Sequence, residues 1–254
     1  MRALILAGGY GTRLQGLIGD KPKALADIQG KTVLDRLLTS IEPVVDQIAL
    51  ISNRRYFLAF KAWRNTASRP VELYQNASMN PDDRLGALGD LALLLSWVGD
   101  GEPALVLASD TILTGSIEGL IAQYQSSGCS QIAIWRNCDN QDQRRRGVVQ
   151  LGHDRRVVKF TEKPASPNSD IAASPIYVFT PTALAALPKY LAAGGASDAP
   201  GSYIEVLCQH ERVEGWWLPS ATFDVGNPTS FEVAQTAGEL KSPRANDEFT
   251  KPRP

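Results

Sequence analysis

The segment that most constrains this chain is its start: Leu4-Ile5-Leu6-Ala7 is a short apolar run that opens into Gly8-Gly9-Tyr10-Gly11-Thr12-Arg13-Leu14. An apolar run of this length is consistent with a buried parallel strand, and the glycines after it mark a tight turn. Glycine permits positive φ and close approach of backbone to a ligand, so successive N–H groups can face one anion. Arg13 adds a planar fork of charged donors, and Lys23 brings a compact second charge. Pro22 fixes its own φ and pushes Lys21 toward an extended conformation, so the lysine pair comes from a stiffened segment. Together these residues describe a polyphosphate site, with Lys21 as a supporting charge.

Two familiar glycine motifs do not fit. The dinucleotide fingerprint G-x-G-x-x-G/A fails because Leu14 stands where its third small residue belongs. The P-loop fails because Gly30-Lys31-Thr32 has Leu25 in place of its first glycine. A nicotinamide-dependent oxidoreductase is therefore disfavoured.

Hydrophobic periodicity predicts alternating strands (2–7, 47–52, 71–75, 104–108, 131–136) and helices (32–41, 55–64, 85–98, 117–126), the rhythm of an α/β fold. Val33, Leu34, Leu37, Leu38 and Ile41 recur at helical spacing, as do Leu88, Leu91, Ala92 and Leu95, and make core faces. Shorter strands at 147–151, 157–161, 176–179 and 213–218 extend the sheet with antiparallel or mixed pieces. Asn227 and Pro228 read as N-cap and first residue of a last helix ending near Gly238-Glu239. The domain is expected to span residues 1–240, with 241–254 a disordered polar tail. No internal repeat is evident.

The chain has 254 residues, a net charge of −1 and 43% hydrophobic residues, which suits one enzyme domain. The near-neutral balance gives no footprint for nucleic acid, and no apolar run approaches the ~20 residues of a membrane helix. A cytoplasmic protein without a membrane partner is expected. Cys129, Cys138 and Cys208 lack zinc spacing and read as reduced structural thiols. His153 and His210 read as surface or structural histidines. Arg144-Arg145-Arg146 reads as a solvated loop, with phosphate or oligomer contact as the alternative.

The segment LAGGYGTRL followed by Pro22-Lys23 resembles the sugar-1-phosphate nucleotidyltransferases, the pyrophosphorylases that make nucleotide sugars. The resemblance continues in order through RLGALGDLALLL (84–95), LVLASDTIL (105–113), GVVQL (147–151), VVKFTEKP (157–164), IYVF (176–179) and FDVGNPTSFEVA (223–234). It implies a Rossmann-like, three-layer, GT-A-like fold with a mixed central sheet and a small sugar-binding antiparallel extension. By the same resemblance, the expected form is the short one, without the C-terminal β-helix of larger relatives. The implied reaction joins a nucleoside triphosphate to a sugar 1-phosphate and releases pyrophosphate; a homo-oligomer is compatible with it. A catalytically silent, nucleotide-sugar-binding regulator is the alternative. It would be expected to lose Arg13, Lys23 or an aspartate, and all are present.

The resemblance also implies site residues. Leu6, Ala7, Gly8, Gly9, Gly11 and Thr12 would line the nucleotide, Arg13 would hold the departing phosphates, and Lys23 would sit at the α-phosphate. Asp110 follows an apolar strand, where open α/β sheets bind ligands, although a turn cap is the bland alternative. Asp224 is the natural second carboxylate, and the two match the family's Mg²⁺-binding pair. Glu162, Lys163 and Gly147 fall on the acceptor side, where Glu162 suits sugar hydroxyls and Lys163 suits the sugar phosphate. Asn76 and Gly86 are the candidates for reading the base. Ser174-Pro175 departs from the family pattern and removes a backbone donor beside the sugar, so a cyclitol phosphate stays open as acceptor.

Overall fold

The computed structural model describes residues 1–220 and 222–236. Its strands are β1 (Arg2–Ala7), β2 (Asp27–Ile28), β3 (Lys31–Thr32), β4 (Gln47–Ser52), β5 (Glu72–Gln75), β6 (Ala104–Ala108), β7 (Thr111–Leu113), β8 (Ser130–Arg136), β9 (Gly147–Leu151), β10 (Val157–Glu162), β11 (Ile171–Phe179), β12 (Val213–Trp217) and β13 (Thr222–Asp224). Its α-helices are α1 (Gln15–Ile18), α2 (Val33–Ile41), α3 (Phe57–Arg64), α4 (Ala87–Val98), α5 (Glu118–Ser127), α6 (Asn140–Gln143), α7 (Pro181–Ala192), α8 (Pro200–His210) and α9 (Pro228–Thr236).

One nine-stranded sheet organises the molecule in the order β10-β9-β11-β6-β1-β4-β5, with β8 on β11 and β12 on β8. The half containing β6, β1, β4 and β5 is parallel, with Leu4 opposite Val106 on one side and Ala49 on the other. The β1 side chains alternate between two cores: Ala3, Ile5 and Ala7 face one, and Leu4 faces the other. A period of 2 buried on both faces is why this strand reads as an unbroken apolar run. Helices α2, α3 and α5 supply the first core, and α4, α7 and α8 the second. Thr32 caps α2 by accepting from Asp35 N–H at 3.0 Å. All five of its predicted core residues are fully buried, each contributing about 1.5–3 kcal/mol.

The other half of the sheet is mixed, and β11 joins the two. Its first residues pair with β9, its last with β6, and the register shifts between Ala173 and Tyr177. Pro175 lies in that irregularity, where a residue without an N–H breaks no regular ladder. The expected strand 176–179 is thus the end of a nine-residue strand. Helices α7 and α8 were not anticipated. Pro188 inside α7 disguises it, while Pro181 and Pro200 stand at helix starts, where the lost N–H has no intrahelical partner anyway.

A small third core decides where the carboxylates meet. Leu14, Ile28, Val33, Ile112, Val225 and Ala234 cluster together, and β13 pairs antiparallel with β7 beside them, placing Asp224 opposite Thr111. Leu14, the residue that spoiled the dinucleotide fingerprint, is fully buried here. Asn227 Oδ1 accepts from Ser230 N–H at 3.0 Å at the start of α9, as a cap should. The expected end of that helix near residue 238 and the tail 241–254 lie outside the described residues.

Candidate active site

A cleft of about 690 Å³ opens at the carboxyl ends of β1 and β6. The predicted residues Leu6, Gly8, Gly9, Gly11, Thr12, Arg13, Lys23, Gly86, Asp110, Lys163 and Asp224 line it. Among the described residues, the backbone N–H groups of Gly9 through Arg13 find no protein acceptor, so a run of donors is left to face the cleft. The glycines serve different ends. Gly11 alone of the three adopts positive φ, 59°, whereas Gly8 is required because a Cβ there would stand 1.9 Å from Asp90 Oδ2. Asn53 Nδ2 donates to Gly8 O at 3.0 Å, and the buried Tyr10 hydroxyl meets Ser78 Oγ, so the turn is pinned from behind.

Lys23 passes beneath this turn, its stem 3.3 Å from where a Gly11 Cβ would be, and its ammonium pairs with Asp110. Burial works against charge on Lys23, but Asp110 outweighs it and the ammonium is held above its ordinary value. Asp110 is buried too, and Lys23 reverses that cost, leaving the carboxyl below the usual range. Enclosure in the cleft and then the adjacent Asp110 raise the Asp224 carboxyl, with which Asp110 shares a hydrogen bond. Among the described residues no third His, Cys, Asp or Glu joins them. Two close carboxylates, one of them reluctant to ionise, are groups that could hold a cation.

On the opposite wall stand Lys163, Pro175 and Tyr177. Lys163 has φ 45°, a conformation uncommon outside glycine, and its ammonium lies 3.5 Å from Glu162. Glu162 does not itself line the cleft; its Oε2 lies 1.9 Å from where a Gly201 Cβ would be, and burial raises its carboxyl. Gly147 is likewise set back. It faces Glu162 across the β9–β10 ladder, and its missing side chain makes room for the Phe160 ring, 2.2 Å from where a Cβ would stand. Its glycine therefore answers to packing. Ala7 is also a core residue, 3% exposed. Arg144 and Arg145 are exposed as expected, whereas Arg146 is engaged with Asp142 and the Trp135 ring. All three cysteines are free, Cys138 being exposed, and both histidines are exposed away from the cleft.

The family model for nucleotidyl transferases matches residues 2–239. The chain belongs to that family. The chain is 28% identical over 246 residues to the mannose-1-phosphate guanylyltransferase catalytic subunit beta of Dictyostelium discoideum, covering 91% of this chain and 62% of the relative. A putative mannose-1-phosphate guanyltransferase of Sulfolobus acidocaldarius is 32% identical over 179 residues, covering 70% of this chain and 48% of the relative. The chain thus spans about half to two thirds of those relatives' length. A UDP-glucose pyrophosphorylase solved with UDP-glucose shares the fold, with a TM-score of 0.77 at 19% identity over 93% of this chain and 97% of that one. No described helix is long and apolar enough to cross a membrane.

Sequence reasoning missed two features of the cleft. Arg84 Nη2 and Asp198 Oδ2 pair at 2.8 Å, linking the segment before α4 to the one before α8. The second is Asp90, which is 4% exposed in the apolar face of α4 and lines the cleft. Its Oδ1 accepts from Asn76 Nδ2 at 2.6 Å, and Asn76 Oδ1 accepts from Ser78 N–H at 2.9 Å. Asn76, expected to read a base edge, is instead buried behind the wall and holds Asp90. The signal was available: Asp90 is a lone acid within ALGDLALLLSWV.

Burial lifts the Asp90 carboxyl from 3.8 to about 6. A raised carboxyl costs stability once ionised, so the folded state loses ground as pH climbs from about 4 to about 6 and does not regain it above. Asp90→Asn is therefore expected to stabilise the protein by up to about 3 kcal/mol at pH 8, the gain shrinking toward pH 4. Urea unfolding across that range would show it, and a loss of stability at pH 8 would refute the assignment.

Proposed function

We propose that the chain transfers a nucleotidyl group from a nucleoside triphosphate to a sugar 1-phosphate. The observation that carries this is the run of unsatisfied N–H groups at Gly9 to Arg13, set over Lys23 and opposite the Asp110–Asp224 pair. The phosphate oxygen of the sugar attacks the α-phosphorus; the bond from that phosphorus to the bridging oxygen of the β-phosphate breaks, and pyrophosphate leaves. No strong general base is needed, because the second phosphate pKa of about 6 leaves the nucleophile largely anionic. The absence of histidine from the cleft lining is consistent with this.

Catalysis then consists of positioning and charge neutralisation. The turn N–H groups and Arg13 hold the departing phosphates, and Lys23 follows the charge at the α-phosphate. Asp110 and Asp224 fit a divalent cation of the magnesium type, which is commonly held by one or two carboxylates together with substrate phosphates. When bound, such a cation would supply charge neutralisation on the triphosphate, beside the Lys23 ammonium that pairs with Asp110. Lys163, steadied by Glu162, receives the acceptor phosphate. Pro175 leaves that wall without a backbone donor, which narrows how the acceptor can be held.

Pyrophosphate release with each nucleoside triphosphate and a panel of hexose, heptose and cyclitol 1-phosphates tests the reading. Release that requires an acceptor supports it, and none with any pair would sink it. Arg144→Ala is expected to change that rate less than twofold, since Arg144 is exposed and is not among the residues that line the cleft; a large fall would move the site.

A further inference from the structure

The geometry points to Asp90 as the residue that selects the base, accepting from the N1–H and N2–H donors of a guanine. The inference rests on the cleft being a nucleotide site. Asp90 sits one helical turn beyond Gly86 and against Gly8, on the wall built by the glycine-rich turn and α4. Lys163, Pro175 and Tyr177 come from β10 and β11 on the other wall. Among the described residues, Asn76 Nδ2 is the one hydrogen-bond donor to the Asp90 carboxylate, and no cation pairs with it. Asp90 lines the cleft with its Oδ2 against Gly8, and no hydrogen bond to that oxygen is found among the described residues.

A buried carboxylate with one neutral donor is costly unless a ligand completes it. Phosphate cannot do so, because both groups are anionic. A base can. Guanine presents two adjacent N–H donors, which match the two oxygens of a carboxylate. Adenine and cytosine offer only an exocyclic amine, and uracil or thymine a single N–H flanked by carbonyl oxygens that a carboxylate repels. Each carboxylate oxygen carries two acceptor sites, so Oδ1 keeps its Asn76 bond while it serves the base. Asn76 acts as a positioning residue, fixing the carboxylate's orientation.

The test compares GTP with inosine triphosphate, which lacks only the 2-amino group, by titration calorimetry on the full chain. Wild type should bind GTP about 10- to 100-fold more tightly than inosine triphosphate, because the missing donor leaves a buried carboxylate oxygen unpaired. Asp90→Asn should bring that ratio below about threefold. A wild-type ratio below threefold overturns the inference whether or not the variant folds, and so does an unchanged ratio in a folded variant. An effect of Asp90→Asn confined to the KM of the acceptor would assign the carboxylate to sugar hydroxyls and overturn it too. Acceptor-dependent pyrophosphate release from UTP or dTTP in preference to GTP would end this inference while leaving the transferase reading intact. Discriminating GTP binding without release from any acceptor would do the reverse.

Discussion

Asp110→Asn is expected to lower pyrophosphate release by about 10³-fold or more at saturating substrates, with the protein still folded. The substitution removes one charge from the Asp110–Asp224 pair, and with it much of the pair's hold on a divalent cation. It keeps an oxygen for the Lys23 ammonium, which is part-buried and would otherwise lose its partner. Asp110→Ala is the worse experiment. Leaving a part-buried ammonium unpaired costs up to about 3 kcal/mol, so lost activity could reflect lost fold. The decisive measurements are turnover as a function of Mg²⁺ concentration and urea unfolding of the same preparation. A variant with near wild-type turnover would show that these carboxylates do not serve the reaction.

Gly86→Ala is expected to cost about 2–4 kcal/mol and to raise the KM for the nucleotide. Gly86 adopts φ 80° and ψ 164°, a conformation essentially restricted to glycine, and an added Cβ would stand 2.6 Å from Ser197 O. That carbonyl also accepts from Leu88 N–H at 2.8 Å, so it cannot retreat without breaking the bond that seats the 197–200 segment on α4. Asp198 and Pro200 of that segment line the cleft. Gly99 provides the control: at φ 83° and ψ 159° its backbone matches, yet nothing lies within 4 Å of its missing Cβ. Gly99→Ala should therefore show the backbone strain alone, with the nucleotide KM unchanged. Equal effects at the two positions would contradict the packing assigned to Gly86.

Much of the site was legible because its signals are local. The β1 strand, the glycine-rich turn, Arg13 and Lys23 fall within residues 2–23, and Asp110 follows a strand whose apolar run is unmistakable. The roles of individual glycines were not legible. Gly8, Gly11 and Gly147 look alike in sequence, but one makes room for Asp90, one adopts positive φ, and one admits the Phe160 ring. Asn76 misled for a related reason: a polar residue beside a strand end can face a ligand or another side chain, and only the placement of α4 shows that it faces Asp90.

The sequence by itself determined the alternating α/β architecture, the glycine-rich turn and the cations near it, since strand period, glycine freedom and charge are properties of neighbouring residues. Tertiary structure alone decided that Asp224 meets Asp110, that β11 changes partners at Pro175, and that Asp90 opens on the cleft. Each of these depends on contacts between segments far apart in the chain, such as the β7–β13 pairing across residues 111–113 and 222–224. Local composition carries no record of such contacts, because the residues that make them need only be apolar, or small, or able to pair.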